Sequence, residues 1–176
     1  NSIHPKFLLC NAPRFENHGP LISVIMTTFN WNRVIDNAID SILNQTYNNI
    51  ELIIVDDCSS DDLYSHLEQR ANDDKRIKLF SLEKNKGTYV AKNHGMEQAK
   101  GEFITFMDSD DWSHPQRLEK QYMSLHDNNG AVAVVNTYFR VNADGDIVVT
   151  SGKALRLSCI SLMLRAEVLQ KIGFFD

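Results

Sequence analysis

Three carboxylates lie within four residues at Asp108, Asp110 and Asp111, directly after the apolar run 102–107. Carboxylates crowded at the end of a strand repel one another unless a cation lies between them. Oxygen ligands of this kind favour Mg²⁺ or Mn²⁺ over zinc. The segment therefore predicts a divalent metal site. The alternative is an acidic turn in which Asp111 or Ser113 caps the next helix.

Two other strand-like runs also end in polar residues. Thr27, Thr28, Phe29 and Asn30 follow the first run, and the acidic and hydroxyl residues 56–61 follow the second. Because the carboxyl ends of parallel strands meet at one edge of a sheet, these segments are expected to form a pocket.

The pair Asp56-Asp57 has two interpretations. Its oxygens could accept hydrogen bonds from a nucleobase or from ribose hydroxyls, as acidic residues do in dinucleotide folds. Alternatively the pair caps the helix predicted near Leu63, in competition with residues 59–61. Phe29 could stack on a base in the first case, or simply pack in the core.

A phosphate site is predicted where Gly87 precedes a helix and Lys92 lies in its first turns. The N-terminal amides of a helix and a nearby cation together favour an anion. The sequence contains neither GxGxxG nor GxxxxGK[ST], so NAD enzymes and P-loop NTPases have little support. A diphosphate held between a metal ion and this helix fits the pattern best.

The elements that carry these residues alternate along the chain. Strands are predicted over 21–26, 50–55, 77–82 and 102–107, and helices over 34–45, 63–71, 88–99 and 116–128. This alternation predicts an α/β fold with a mostly parallel sheet and helices on both faces. Beyond Gly130 we expect a strand over 131–141, an Asp-Gly turn over 142–145, strands over 146–150 and 159–164, and a helix over 166–172.

Length and composition limit the possible partners. The 176 residues, 43% of them hydrophobic, suit one domain over 21–176 behind a proline-containing N-terminal linker, 1–20. The net charge of -5 and the scattered basic residues argue against nucleic acid. Three distant cysteines without a CxxC spacing fit a reducing cytoplasm. No apolar run approaches the about 18 residues of a transmembrane helix, and peripheral membrane association stays open.

Both ends look cut. The chain begins at Asn1 without a methionine and stops at Asp176, directly after a helical pattern. We therefore expect the rest of a longer polypeptide, with the domain truncated at its C-terminal end.

Several segments resemble inverting glycosyltransferases of family 2, which have the GT-A nucleotide-diphospho-sugar transferase fold, a Rossmann-like sandwich. The matching segments follow one another in the right order from residue 21 to about residue 120 and include a DxD motif. They are ISVIMTTFN at 22–30, SILNQT at 41–46, ELIIVDD at 51–57, GTYVAKN at 87–93, AKGEFI at 99–104 and DSD at 108–110.

The resemblance implies roles at the nucleobase end of a donor site. Thr27 and Phe29 would contact the base, and Asn30 belongs to the same loop. Asp57 would accept a hydrogen bond from the base, with Asp56 supporting the loop.

At the phosphate end, the resemblance assigns the helix start at Gly87 and the residues that follow it. Lys92 stands where the family often has arginine and would approach the phosphates or the sugar, while Asn93 steadies the helix. The donor-binding residues of the third loop would be Asp108, Ser109 and Asp110. Asp108 and Ser109 would face the ribose and the sugar, Asp110 would ligate Mn²⁺ or Mg²⁺, and Asp108 would reach the metal directly or through water.

The implied reaction is metal-dependent, inverting transfer from a nucleotide-diphospho-sugar, with a UDP-sugar favoured. The acceptor would be a glycan, lipid-linked or other hydroxyl, in glycan or polysaccharide synthesis. The family's general base usually follows a segment like 168–176, so we expect it beyond Asp176. On this basis the chain is predicted to bind the donor but to transfer poorly.

Two other interpretations fit parts of the sequence. The first is a non-catalytic nucleotide-sugar-binding fragment of a larger synthase. The second, more remote, is a receiver-type signalling domain, because the run 54–57 looks like the acidic pair that binds Mg²⁺ in such domains. Those domains begin with the acidic strand, whereas here a strand and a helix precede it.

Overall fold

The computed structural model describes residues 19–30, 34–141, 147–148 and 156–175. Of the predicted linker 1–20, only Gly19 and Pro20 fall within these ranges. The elements, in chain order, are β1 (Ile22–Thr28), α1 (Ile35–Leu43), β2 (Ile50–Asp56), α2 (Leu63–Asp73), β3 (Ile77–Ser81), α3 (Thr88–Gln98), β4 (Phe103–Asp108), α4 (Arg117–Asp127), β5 (Ala133–Val134), β6 (Thr137–Tyr138), β7 (Arg140–Val141), β8 (Ile147–Val148), β9 (Arg156–Leu157), β10 (Met163–Arg165) and α5 (Leu169–Ile172).

The central sheet has six strands in the order β3-β2-β1-β4-β10-β5. β1 pairs in parallel with β2 on one side and with β4 on the other, and β2 pairs in parallel with β3. β10 is antiparallel to both β4 and β5. The predicted mostly parallel sheet is therefore confirmed. Within the described ranges, no helix combines the length and apolar character needed to cross a lipid bilayer.

Helices cover both faces of this sheet. Successive side chains of a strand point to opposite faces, and in β1 and β2 both sets are buried. Val24 and Met26 join a core with residues of α1, α2 and α4. On the opposite face, Ile25 packs with Met96 of α3, and Ile53 packs with Ala91 of the same helix.

Beyond Gly130 the strands are shorter and more numerous than the sequence predicts. The predicted strand 131–141 is three short strands, β5, β6 and β7. Between β5 and β6 the Ser161 hydroxyl binds both the N–H of Asn136 (3.2 Å) and its C=O (2.7 Å). A side chain that bonds to the backbone in this way replaces a rung of the sheet ladder.

The other predictions for this region are partly correct. β7 pairs antiparallel with β8, as the predicted hairpin requires, although its turn at 142–145 lies outside the described residues. The strand predicted over 159–164 is a 3-10 turn, Cys159–Ser161, followed by β10. The helix predicted over 166–172 begins with a 3-10 turn, Ala166–Val168, and only its last four residues, α5, are α-helical.

A buried network joins the amino ends of the central strands. The Ser23 hydroxyl donates to the Glu51 carboxylate (2.6 Å), which also accepts the N–H of Lys100 (2.8 Å). The N–H of Gly101 donates to the Ser23 hydroxyl (2.9 Å). The turn from α3 into β4 is thereby fixed against β1 and β2.

A second network fixes the segment that follows β4. The Gln45 side chain is almost fully buried at the end of α1, where its amide N–H₂ donates to the C=O of Ser41 (2.9 Å) and of His114 (2.8 Å). Its amide oxygen accepts the N–H of Leu118 (3.0 Å). The Ser41 hydroxyl accepts the N–H of Ser113 (3.1 Å). The end of α1 therefore holds the chain between the acidic cluster and α4.

Replacing Gly101 by alanine is expected to destabilise the fold. An added Cβ would lie 2.6 Å from the C=O of Leu21 and 2.7 Å from the N–H nitrogen of Ser23, and neither backbone atom can move away freely. We expect a loss of about 1–3 kcal/mol in the free energy of unfolding, measured by urea denaturation. Gly130→Ala is the control, because a Cβ there meets nothing within 4 Å. Equal stabilities of the two variants would contradict this account.

Gln45→Met is expected to lower stability although its volume is nearly conserved. The methionine would leave the buried N–H of Leu118 without its acceptor, while the C=O of His114 would keep only the N–H of Arg117 (2.9 Å). A buried group left unpaired costs about 1–3 kcal/mol. Gln69→Met, on the exposed surface of α2, provides the control. Urea denaturation should show a large loss only for Gln45→Met, and a loss below about 0.5 kcal/mol would argue against the network.

Candidate functional site

The predicted site residues meet at one edge of the sheet because of the register of β1. Thr27 is opposite Val55 of β2 and Asp108 of β4, and Thr28 is opposite Asp56. The chain leaves β1 toward β2 and β3 on one side and returns to β4 on the other. A crevice outside the carboxyl ends of the strands is expected at such a switch point, and ligands of α/β sheets bind there.

The loops after β1 and β2 are tied to each other by Asn30. Its φ of 56° lies in the left-handed region, which asparagine tolerates better than most residues. The N–H of Asn30 donates to the Ser59 hydroxyl (2.7 Å), and its side-chain oxygen accepts the N–H of Ser60 (3.1 Å). Next to it the Phe29 side chain is 50% exposed, so the alternative of a core residue is wrong for Phe29.

The loop after β1 is also tied to α3. The hydroxyl groups of Thr27 and Thr88 share a hydrogen bond of 2.9 Å. Thr88 is the first residue of α3 and was not singled out in the sequence, where a threonine at a helix start has an ordinary explanation. The buried Thr28 hydroxyl has no hydrogen-bond partner in the described part of the chain.

Asp56 and Asp57 are both buried and have separate partners. The Asp56 carboxylate accepts from the N–H and the hydroxyl of Ser59. The Asp57 carboxylate accepts the N–H of Lys86 and the N–H of Gly87, each at 2.8 Å. Neither side chain caps α2, so the capping alternative is wrong for this pair.

The backbone amides that lead into α3 therefore bind a carboxylate of the protein itself. Gly87 has a φ of 87°, which favours glycine, and it places its N–H toward Asp57. The sequence predicted that a phosphate would occupy this helix start, and the structure shows Asp57 bound to the amides before it. A role for Gly87 in donor binding stays a prediction.

Lys92 lies on α3 and contacts the end of β4. Its ammonium nitrogen is 3.5 Å from the Asp108 carboxylate and 5.9 Å from the centre of the Phe106 ring. Only 11% of the Lys92 side chain is exposed. The lysine predicted to approach the phosphates and the end of β4 predicted to bind the metal are thus in contact. Asn93 exchanges hydrogen bonds with the backbone of Phe175, and its predicted role in steadying the helix stays a prediction.

The acidic segment after β4 is a turn, in which the N–H of Asp111 donates to the C=O of Asp108 (3.2 Å). Asp108 and Ser109 are half-buried and Asp110 is exposed. Loss of hydration raises the pKa of the Asp111 carboxyl, and the charges of Asp108 and Asp110 raise it further. No side chain caps α4, so the predicted capping role of Asp111 or Ser113 is wrong. The ranges described contain no group of three His, Cys, Asp or Glu residues arranged to hold a metal ion.

Arg117, the first residue of α4, contacts the end of β4. This contact was not predicted from the sequence. The Arg117 guanidinium donates to the C=O of Phe106 (3.2 Å) and contacts the sulfur of Met107 (3.8 Å). Burial lowers the pKa of Arg117 to about 10, and the charge of Asp111 opposes this shift. An arginine in an amphipathic helix usually faces solvent, so the pattern gave no signal of this role.

Comparison with known proteins agrees with this architecture. A sequence model of "Glycosyl transferase family 2" matches residues 23–173. An uncharacterized glycosyltransferase of Haemophilus influenzae is 46% identical over 102 residues, which cover 58% of this chain and 41% of that protein. The chain thus spans about two fifths of this curated relative. The match leaves the receiver-domain alternative without support.

Solved structures show the same fold. The mannosyltransferase PcManGT of Pyrobaculum calidifontis, in complex with GDP-Man and Mn²⁺, has a TM-score of 0.71 at 23% identity over 94% of this chain and 50% of its own. TarS 1–349 of S. aureus, in complex with UDP-GlcNAc, has a TM-score of 0.69 at 23% identity over 88% of this chain and 48% of its own. The predicted GT-A fold is therefore confirmed. Since the family model covers most of the sequence, the chain belongs to glycosyl transferase family 2.

Proposed function

We propose that this chain forms the donor-binding part of a metal-dependent, inverting glycosyltransferase. It would bind a nucleotide-diphospho-sugar, with a UDP-sugar favoured, and present it to an acceptor hydroxyl. One observation supports the proposal above all: Thr27, Asp57 and the Lys92–Asp108 pair converge at the switch point of the sheet. TarS and PcManGT, with UDP-GlcNAc and GDP-Man bound, have the same fold.

The nucleobase would lie between the loops after β1 and β2. The exposed Phe29 ring offers a flat apolar surface for stacking. On either side of it in sequence, Thr27 is bonded to Thr88 and Asn30 to Ser59. Each carboxylate oxygen of Asp57 accepts one backbone N–H and has a second lone pair available. Asp57 could therefore accept an N–H of the base without releasing Lys86 or Gly87.

The diphosphate and the metal would lie at the end of β4. The oxygen donors of Asp108 and Asp110 fit Mn²⁺ or Mg²⁺. Loss of hydration raises the pKa of Asp111, and the charges of Asp108 and Asp110, which a cation would offset, raise it further. A divalent ion, when bound, supplies Lewis-acid stabilisation of the charge on the departing nucleoside diphosphate. Lys92, now paired with Asp108, is placed to contact the phosphates or the sugar from α3. Ser109, between the two carboxylates in sequence, would face the ribose or the sugar.

The acceptor hydroxyl would attack the anomeric carbon from the face opposite the diphosphate, which inverts the configuration. We expect the general base that removes its proton to lie beyond Asp176. The acceptor would be a glycan, a lipid-linked sugar or another hydroxyl compound, in glycan or polysaccharide synthesis. With a lipid-linked acceptor, a cytoplasmic enzyme would work at the inner face of the membrane.

Calorimetric titration with UDP and with GDP, with and without Mn²⁺, tests the donor site. We expect saturable binding that Mn²⁺ strengthens, and Asp110→Asn should reduce that strengthening by about tenfold or more, since one charged metal ligand is lost. Asp127→Asn, which removes the same charge at the end of α4, is the control. Failure of every nucleoside diphosphate to bind in the presence of Mn²⁺ would overturn the proposal.

Asp57→Asn should weaken nucleotide binding with or without Mn²⁺ and also lower stability. One oxygen that now accepts a backbone N–H, from Lys86 or Gly87, would become an N–H₂ group that can only donate. The free energy of unfolding should fall by about 1–3 kcal/mol. Calorimetry and urea denaturation measure the two effects, with the exposed Asp62→Asn as the control. Unchanged nucleotide affinity would remove Asp57 from the site.

A further inference from the structure

The segment that follows α5 is bound to α3 through its backbone. Gly173 ends α5 with a φ of 78°, and the chain then runs back to α3. There the Asn93 side-chain N–H₂ donates to the C=O of Phe175 (2.7 Å), and the N–H of Phe175 donates to the Asn93 side-chain oxygen (3.0 Å). The amide of Asn93 thus satisfies both backbone groups of one residue that is 82 positions away in sequence.

The Phe175 ring is held at the same time by two other rings. Its centre lies 5.7 Å from that of Tyr89 on α3 and 5.6 Å from that of Phe106 on β4. Tilted ring pairs at such distances stabilise beyond the burial of their apolar area. We call Tyr89, Asn93 and Phe106 the Phe175 clamp. Hydrogen bonds fix the backbone of Phe175, and the two rings fix its side chain.

The clamp shares the Phe106 ring with Lys92. The Lys92 ammonium lies 5.9 Å from the centre of this ring, within the range of a cation–π interaction, and 3.5 Å from the Asp108 carboxylate. Lys92 also directly precedes Asn93 in α3. Although Tyr89 and Val90 of the same helix are exposed, the Lys92 side chain is only 11% exposed. The clamp and the Lys92–Asp108 pair are therefore parts of one contiguous cluster.

We propose that Asn93 is a positioning residue, which holds Phe175 against Phe106 so that Lys92 stays covered and directed at Asp108. The proposed link is the Phe106 ring, which contacts both the Phe175 ring and the Lys92 ammonium. This inference rests on the proposed donor site, in which Lys92 meets the phosphates. A purely structural clamp would contribute stability and leave the surroundings of Lys92 unchanged.

Lysine labelling tests the clamp without a ligand. Asn93→Leu removes both hydrogen bonds, and Gln98→Leu makes the same type of change on α3 at a residue that has no hydrogen bond to Phe175. Acylation of the intact chain by an amine-reactive ester, followed by mass spectrometry, should be about threefold or more faster at Lys92 in Asn93→Leu only. The exposed Lys100 is the internal reference. Equal Lys92 labelling in Asn93→Leu and the parent chain, at a temperature where both are folded, would overturn the inference.

A double-mutant cycle tests the consequence for the donor. Asn93→Leu should weaken UDP binding with Mn²⁺ by about three- to tenfold, and in a Lys92→Met background it should add little, because the two residues act through one another. Additive losses, or unchanged binding in Asn93→Leu, would show that Asn93 does not act through Lys92. If the parent chain bound no nucleoside diphosphate, the donor site would be wrong, and the labelling result would still decide whether Asn93 positions Lys92.

Discussion

The parallel pairing of β1 with β2 on one side and with β4 on the other is the constraint on which the candidate site depends. This register places Thr27 beside Asp108 and Thr28 beside Asp56, so three loops distant in sequence start from one edge. The Ser23–Glu51 bond at the other end of the strands helps to fix that register. A shift of one residue would separate Ser23 from Glu51 and leave the buried Glu51 carboxylate without this donor.

The loops at this edge are bound to one another by the chain's own side chains. Asn30 joins the first loop to the second, Asp57 joins the second to the start of α3, and Thr27 joins β1 to the same helix. Each bond uses a group that the sequence suggests for ligand binding. If these groups bind the donor as proposed, a substitution that removes a ligand contact would also weaken the order of the loops. A site ordered before the ligand arrives loses less entropy on binding.

The sequence predicted the first four strands, the first four helices and the convergence of the loops, because long apolar runs that alternate with helical patterns leave few other folds. It failed where a single polar side chain decides the structure. Ser161 binds the backbone of Asn136 within the strand predicted over 131–141, and Gln45 organises the chain before α4, yet neither contact follows from hydrophobic periodicity. Arg117 is a similar case, since it looks like an ordinary helix residue until its partners on β4 are known. For Asn93 the resemblance implies a role within its own helix but not the contact with Phe175.

The distribution of hydrogen-bond donors separates the acidic residues of this edge into two groups. Asp56 and Asp57 each accept two donors from the protein, so their charge is compensated within the fold. At the end of β4, Asp108 pairs with Lys92, while loss of hydration, and then the charges of Asp108 and Asp110, raise the pKa of Asp111. Uncompensated negative charge is therefore greater after β4 than after β2. If the chain binds a nucleotide-sugar as proposed, this difference would place the base toward Asp57 and the phosphates, with their cation, toward Asp108.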